Sequence, residues 1–267
     1  MKERVIILAE GGACGHFICT LLQTFHIPDI LEKLEMPDHG SMDLIAEIGT
    51  LTHKYFVDEK RYSIYPEREE SMNLIMNAFN NPDSTYKPYQ NNYEKKFHEI
   101  HVIHYQWQDN INKFLSLPNT RIIFVKYDVD DAKRIAVNKI TKNFNIEAMA
   151  TDEFARSRSR SNYYDLLKWA EFHEAAEELK SLKTVKEASK SLIDTLIKAW
   201  QHYITLRQVW CSPEPHENLT ILNFNDLYFN KEIIMQSLSE FTGLPINKST
   251  HALYDKYLSK QPNIDLY

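Results

Sequence analysis

Residues 4–26 read RVIILAEGGACGHFICTLLQTFH, and no other stretch limits the possible folds as much. Arg4 to Ala9 is a short apolar run with β-branched residues at Val5, Ile6 and Ile7. A run of that length and composition suits a strand buried on both faces of a parallel sheet. Glu10 to His16 (EGGACGH) then holds three of the 6 glycines in the whole chain, a type that usually makes up about 7% of a protein. Next, Ile18, Leu21, Leu22 and Phe25 recur at helical spacing, and Pro28 bounds the helix. The first 27 residues therefore predict strand, glycine loop and helix. The N–H groups at a helix start lack intrahelical partners, and glycines let the backbone wrap closely around an anion. The bland alternative is a tight turn between strand and helix with no ligand.

The rest of the chain repeats the alternation. Ile100 to Tyr105 (IHVIHY), Arg121 to Val125 (RIIFV) and Leu219 to Leu222 (LTIL) read as further strands. Helical spacing is expected at 30–34, 42–56, 69–79, 111–117 and from Ala132 to Ile140. Asn80 to Asn92 is dense in turn formers and predicts a loop, in which Tyr86 and Tyr89, with Tyr93 just beyond, are candidates to line a cleft. Long helices are expected from Asp152 to Trp210, the firmest carrying Leu192, Ile193, Leu196, Ile197, Trp200, Tyr203 and Ile204 as an apolar stripe. A helix starting near Asn230 and stopped by Gly243 and Pro245 follows, then one over Ser249–Ser259. Strands alternating with helices, with no hairpin signal between them, predict an α/β fold with a parallel sheet flanked by helices. The expectation is one α/β domain over residues 1–267, with about 150–212 as a helical insertion or cap.

Composition narrows the functional classes. A net charge of -6 gives no basic field for nucleic acid. The 3 cysteines, Cys14, Cys19 and Cys211, form neither a disulfide framework nor a CxxC pair. No apolar run nears the ~18 residues of a membrane span, and the N-terminal run lacks the form of a signal peptide. A cytoplasmic location is expected on these grounds.

The loop departs from the familiar nucleotide motifs. In GxxxxGK[ST] a lysine and a hydroxyl follow the last glycine, but here His16 and Phe17 follow Gly15. The RIIFV strand ends in Lys126, not in a carboxylate that would hold Mg. GxGxxG is not matched either, because Gly11, Gly12 and Gly15 give GGxxG.

Four segments together resemble the P-loop-like sulfotransferases that use 3'-phosphoadenosine 5'-phosphosulfate (PAPS). Leu8 to Ile18 (LAEGGACGHFI) is similar to their 5'-phosphosulfate loop, and Val102 to Tyr105 (VIHY) to the strand that ends in a catalytic histidine. Asn119 to Asn138 (NTRIIFVKYDVDDAKRIAVN) resembles their 3'-phosphate strand, turn and helix. Leu219 to Leu244 resembles their C-terminal strand and helix, closing on FTGL. The resemblance implies a sulfuryl transfer from PAPS, without a metal, to a hydroxyl or amine on a small molecule, glycan or peptide. It assigns the 5'-phosphosulfate to Gly11, Gly12, Ala13, Cys14, Gly15, His16 and Phe17. The 3'-phosphate falls to Lys126, Arg134 and Asn138. The chain departs from the family where a loop Lys or Arg is usual, since Ala13 stands there; His16 is the candidate catalytic replacement.

His104 is the candidate base. A neutral imidazole at the C-terminal end of a parallel strand is placed to take an acceptor proton; the alternative is a hydrogen-bonded core histidine. His98, His101 and His104 do not make a metal site on a strand, because His101 faces the other way. Arg156, Arg158 and Arg160 (ARSRSRS) form the densest cationic spot, suited to a 3'-phosphate or an anionic acceptor, or to a solvated helix start. Two rival functions remain. One is a sulfotransferase-like nucleotide-binding module without catalysis. The other is an atypical kinase-like phosphoryl transferase with Mg at Asp128, Asp130 or Asp131.

Overall fold

The computed structural model describes residues 3–10, 12–26, 51–52, 54–57, 60–63, 97–103, 108–145, 163–182, 187–208 and 213–259. They fall into two compact units, one within residues 1–127 and 210–260, the other within 128–209.

The first unit is built on a parallel sheet. Its strands in chain order are β1 (Glu3–Leu8), β2 (Leu51–Thr52), β5 (Phe97–Ile103), β6 (Thr120–Lys126) and β7 (Leu219–Asn223). A separate antiparallel pair joins β3 (Lys54–Val57) and β4 (Lys60–Ser63). The sheet order is β2-β5-β1-β6-β7, and every pairing is parallel. Thus β1 is central, with Leu8 level with Ile103 on one side and Phe124 on the other. Val5 to Ala9 and Ile122, Ile123 and Val125 are fully buried, as a strand with neighbours on both edges and side chains on both faces requires. The α/β class with a parallel sheet is as the alternation predicts.

Residues 42–56 correct the reading. They were expected to be helical, but Leu51–Thr52 and Lys54–Val57 are strands. Tyr55, Phe56, Val57 and Tyr62 favour extended backbone, and Val57 pairs with Lys60. The intervening sequence Asp58-Glu59 lacks the glycine that would have signalled a hairpin. The helices expected at 30–34 and 69–79, and the loop at 80–92, lie outside the described residues.

Four helices complete the described part of this unit's frame: α1 (Gly15–His26), α2 (Gln108–Leu115), and, after β7 and a single turn at Asp226–Phe229, Lys231–Thr242 and Lys248–Ser259. Gly243 takes φ 66, the left-handed conformation that ends Lys231–Thr242. The C-terminal helix is tied to α1 by polar groups. Asn247 Oδ1 accepts the Thr250 N–H at 3.1 Å, and Asn247 Nδ2 donates to the Thr24 carbonyl at 2.7 Å. Thr24 Oγ1 lies 3.1 Å from Thr250 Oγ1.

The second unit holds α3 (Ala132–Asn145), helical residues 163–169, then His173–Ser181 and Lys190–Gln208. The expected stripe faces its core: Leu192, Leu196 and Ile197 are buried with Ala136, Val137, Ile140 and Leu167. A break at 170–172 interrupts the expected long helix. Phe172 N–H bonds the Leu167 carbonyl, Glu171 N–H bonds that of Lys168, and Glu171 has φ 64. This is a Schellman ending with glutamate where glycine is usual, so composition alone does not reveal it. Asp131 closes the turn before α3, its Oδ2 accepting the Asp128 N–H at 2.9 Å.

Two predictions follow from these contacts. Asn247→Ala removes a helix cap and the bond to Thr24. It should lower stability by about 1–2 kcal/mol, read as a fall in Tm of about 2–4 °C per kcal/mol; an unchanged Tm contradicts the assignment. Burial holds the Asp131 carboxyl above its ordinary value despite the Asp128 N–H. Its charge therefore weakens the fold at neutral pH, and that penalty disappears as pH falls through the raised value. Asp131→Asn keeps the acceptor, so the variant should match or exceed wild-type stability at pH 7 and lose any advantage below about pH 4. A less stable variant at pH 7 contradicts this.

Candidate functional site

The end of β1 is where a ligand is most readily held. From β1 the chain passes to strands on one side of it (β2, β5) and later to strands on the other (β6, β7). Strand order reverses at such a point, and ligands in open α/β sheets bind beyond the C-terminal strand ends there.

Backbone geometry shapes the loop at this end. Ala13 N–H bonds the Glu10 carbonyl at 2.8 Å, closing a four-residue turn. Gly12 sits at the third position with φ 101, the value a type II turn demands and glycine supplies. Cys14 follows with φ 66. Its carbonyl accepts the Ile18 N–H at 3.0 Å, the first bond of α1. The amides of Gly15, His16 and Phe17 therefore precede the helical ladder, at the positive end of the helix dipole.

The loop's side chains are packed inward. Ala13 is fully buried, so its side chain is shut away from solvent. Cys14 is also buried, and its Sγ lies 2.6 Å from Tyr257 Oη and 3.3 Å from Tyr228 Oη. The two hydroxyls are 3.1 Å apart. Three groups, each able to donate and accept, thus close a triangle. A non-glycine residue in the left-handed region costs about 1–2 kcal/mol, and net hydrogen bonds of about 0.5–1.5 kcal/mol each offset that. Phe17 stacks on Tyr257 with centroids 3.7 Å apart and planes 9° apart, and meets Tyr254 edge-on at 5.1 Å. Burial first, then the Cys14 and Tyr228 neighbours, push the Tyr257 hydroxyl well above its ordinary value, so it stays protonated and able to donate.

The expected site residues are distributed unevenly. Gly12 to Phe17 and Lys126 belong to the first unit; Gly11 lies outside the described residues, as do His104, Arg156, Arg158 and Arg160. The strand before His104 ends at Ile103, level with Leu8. Lys126 is exposed at the end of β6, and its carbonyl accepts the Phe224 N–H at 2.7 Å. Arg134 and Asn138 stand one turn apart on α3 in the second unit, where Asn138 is buried. Glu10, buried between β1 and the turn, was not singled out from sequence. Neither were Tyr228 and Tyr257, which lie 214 and 243 residues from Cys14 and carry no local signal. Cys14 and Cys19 are both buried, and neither is in a disulfide.

Among the described residues, no group of three or more His, Cys, Asp or Glu is disposed to hold a metal. Also among them, no helix is long and apolar enough to cross a membrane. Comparison with protein families, characterised proteins and solved structures finds no match for the chain.

The loop geometry predicts that bulk at its last glycine blocks an anion. Gly15→Val should weaken binding of adenosine 3',5'-bisphosphate by tenfold or more, about 1.4 kcal/mol per factor of ten, with Gly15→Ala intermediate. Unchanged affinity in a folded Gly15→Val protein removes the loop from the binding site.

Proposed function

We propose that the glycine loop binds the anionic end of an adenosine nucleotide, and that the chain transfers a sulfuryl group from PAPS to a hydroxyl or amine acceptor. One observation carries the reading: a positive-φ glycine turn and a helix start stand together at the C-terminal end of the central strand. Turn and helix dipoles of that kind favour an anion without any side-chain charge.

The residues fit the nucleotide in part. The amides of Gly15 to Phe17 are suited to phosphosulfate oxygens and to charge that develops on a leaving phosphate. Ala13 supplies no cation, so charge must come from elsewhere. Lys126, exposed at the end of β6, is the described candidate for the 3'-phosphate. Arg134 and the Arg156, Arg158 and Arg160 cluster remain separate candidates on sequence grounds. When bound, PAPS supplies an activated sulfuryl group. The chain's own task is then to orient it, screen its charge and remove one acceptor proton, the role given to His104.

The buried Ala13 and the enclosed Cys14 favour one further reading, a nucleotide-binding module without catalysis. Equilibrium binding separates the two and tests both. PAPS should bind more tightly than ATP, with no gain from Mg. Adenosine 3',5'-bisphosphate should exceed the 5'-monophosphate by about two to four powers of ten, from two charge-assisted contacts of roughly 1.5–3 kcal/mol each. Equal affinities remove the sulfotransferase reading. Tight PAPS binding with no turnover on any acceptor, and no effect of His104→Ala, leaves the binding module.

A further inference from the structure

We propose that Cys14, Tyr228 and Tyr257 form a positioning lock: a closed hydrogen-bonded triangle through which the C-terminal helix fixes the amides of the glycine loop. The inference rests on the anion-binding reading above, and it names what gives that site its shape.

Cys14 has φ 66, where glycine is favoured, in a loop that already carries three glycines. A residue with a Cβ holds that conformation when its side chain is over-determined by its surroundings. Here the thiol stands 2.6 Å from one phenol and 3.3 Å from another, and the phenols are 3.1 Å apart. Each of the three groups can donate and accept, so each side of the triangle can carry a hydrogen bond.

Tyr257 holds the loop at two points. Its hydroxyl meets Cys14, and its ring stacks on Phe17. The amides of Gly15 and His16 lie between those points in sequence, and together with that of Phe17 they are the ones proposed to meet the anion. Tyr254, one turn earlier, donates its hydroxyl to the Leu227 carbonyl at 2.9 Å, which ties the same helix to the turn that carries Tyr228. Cys14, Tyr228 and Tyr257 belong to one compact unit. Anion affinity is therefore set partly by residues far along the chain that never touch the ligand.

The test uses the full chain and two readouts. Cys14→Gly removes the thiol and relieves the backbone, so any loosening it causes does not come from backbone strain. Tyr257→Phe keeps the ring on Phe17 and deletes the hydroxyl. Both variants should raise hydrogen exchange about tenfold at the Ala13 and Ile18 amides, whose bonds to the Glu10 and Cys14 carbonyls close the turn and open α1, without nucleotide present. Both should weaken adenosine 3',5'-bisphosphate by about tenfold, which is 1.4 kcal/mol, while exchange in β1 and β6 is unchanged. Cys14→Ser keeps a donor and an acceptor and should restore protection that Cys14→Ala loses.

Wild-type exchange at the Ala13 and Ile18 amides in both Cys14→Gly and Tyr257→Phe overturns the lock. So does Cys14→Ala matching Cys14→Ser. If Tyr257→Phe fails to fold, the Gly, Ala and Ser series at position 14 decides alone. If the wild-type chain binds neither the bisphosphate nor PAPS, the functional reading falls, while the exchange measurements still decide whether the lock exists.

Discussion

A central parallel strand has both edges occupied and both faces covered, so it can meet solvent only at its ends. That constraint organises the rest of the first unit. Val5 to Ala9 are fully buried because β5 and β6 flank β1. The chain must then leave the sheet within a few residues and start a helix. Gly12 makes the turn possible with φ 101, and the Ala13 N–H to Glu10 carbonyl bond closes it. The first amides of the helix, which have no intrahelical partner, arrive at the strand end as a consequence of the turn, whether or not a ligand is present.

Much of this was legible in residues 4–26, because strand, turn and helix each leave a local signature. RVIILA is a buried strand by composition, the glycines mark the turn, and Ile18, Leu21, Leu22 and Phe25 mark the helix face. The stripe from Leu192 to Ile204 and the stop at Gly243 were legible for the same reason. The hairpin of β3 and β4 was not, because LTHKYFVDEKRYS mixes charges with aromatics and its turn has no glycine. The break at Glu171 was hidden because a glutamate occupies the left-handed position. The cysteine–tyrosine triangle was invisible in principle: its members sit 214 and 243 residues apart, and no spacing rule relates them.

Cys14 shows how such long-range contacts alter a local motif. Read as sequence, GGACG is a flexible loop with a small residue between glycines. In the fold, that residue is the one whose side chain ties the loop to two other elements. Flexibility at Gly12 and fixation at Cys14 then work together: the glycine permits a conformation, and the triangle selects it. A loop so selected does not have to be ordered by its ligand, which lowers the entropic cost of binding.

An acidic chain, with net charge -6, does not draw anions from a distance. Beyond about 8 Å at physiological salt its field is largely screened in any case. What remains is short-ranged: helix and turn dipoles, and whatever cation stands beside them. A loop cation would serve both phosphosulfate and triphosphate ends alike. With a fully buried Ala13 in its place, position 13 adds no charge to the loop dipoles, and on the proposed reading selectivity falls to His16 and to charges elsewhere in the chain. Lys126, at the end of the neighbouring strand, is the described residue that answers this need. Its position one strand away, not within the loop, is why the proposed preference is for a nucleotide carrying a second phosphate and not for a longer polyphosphate chain.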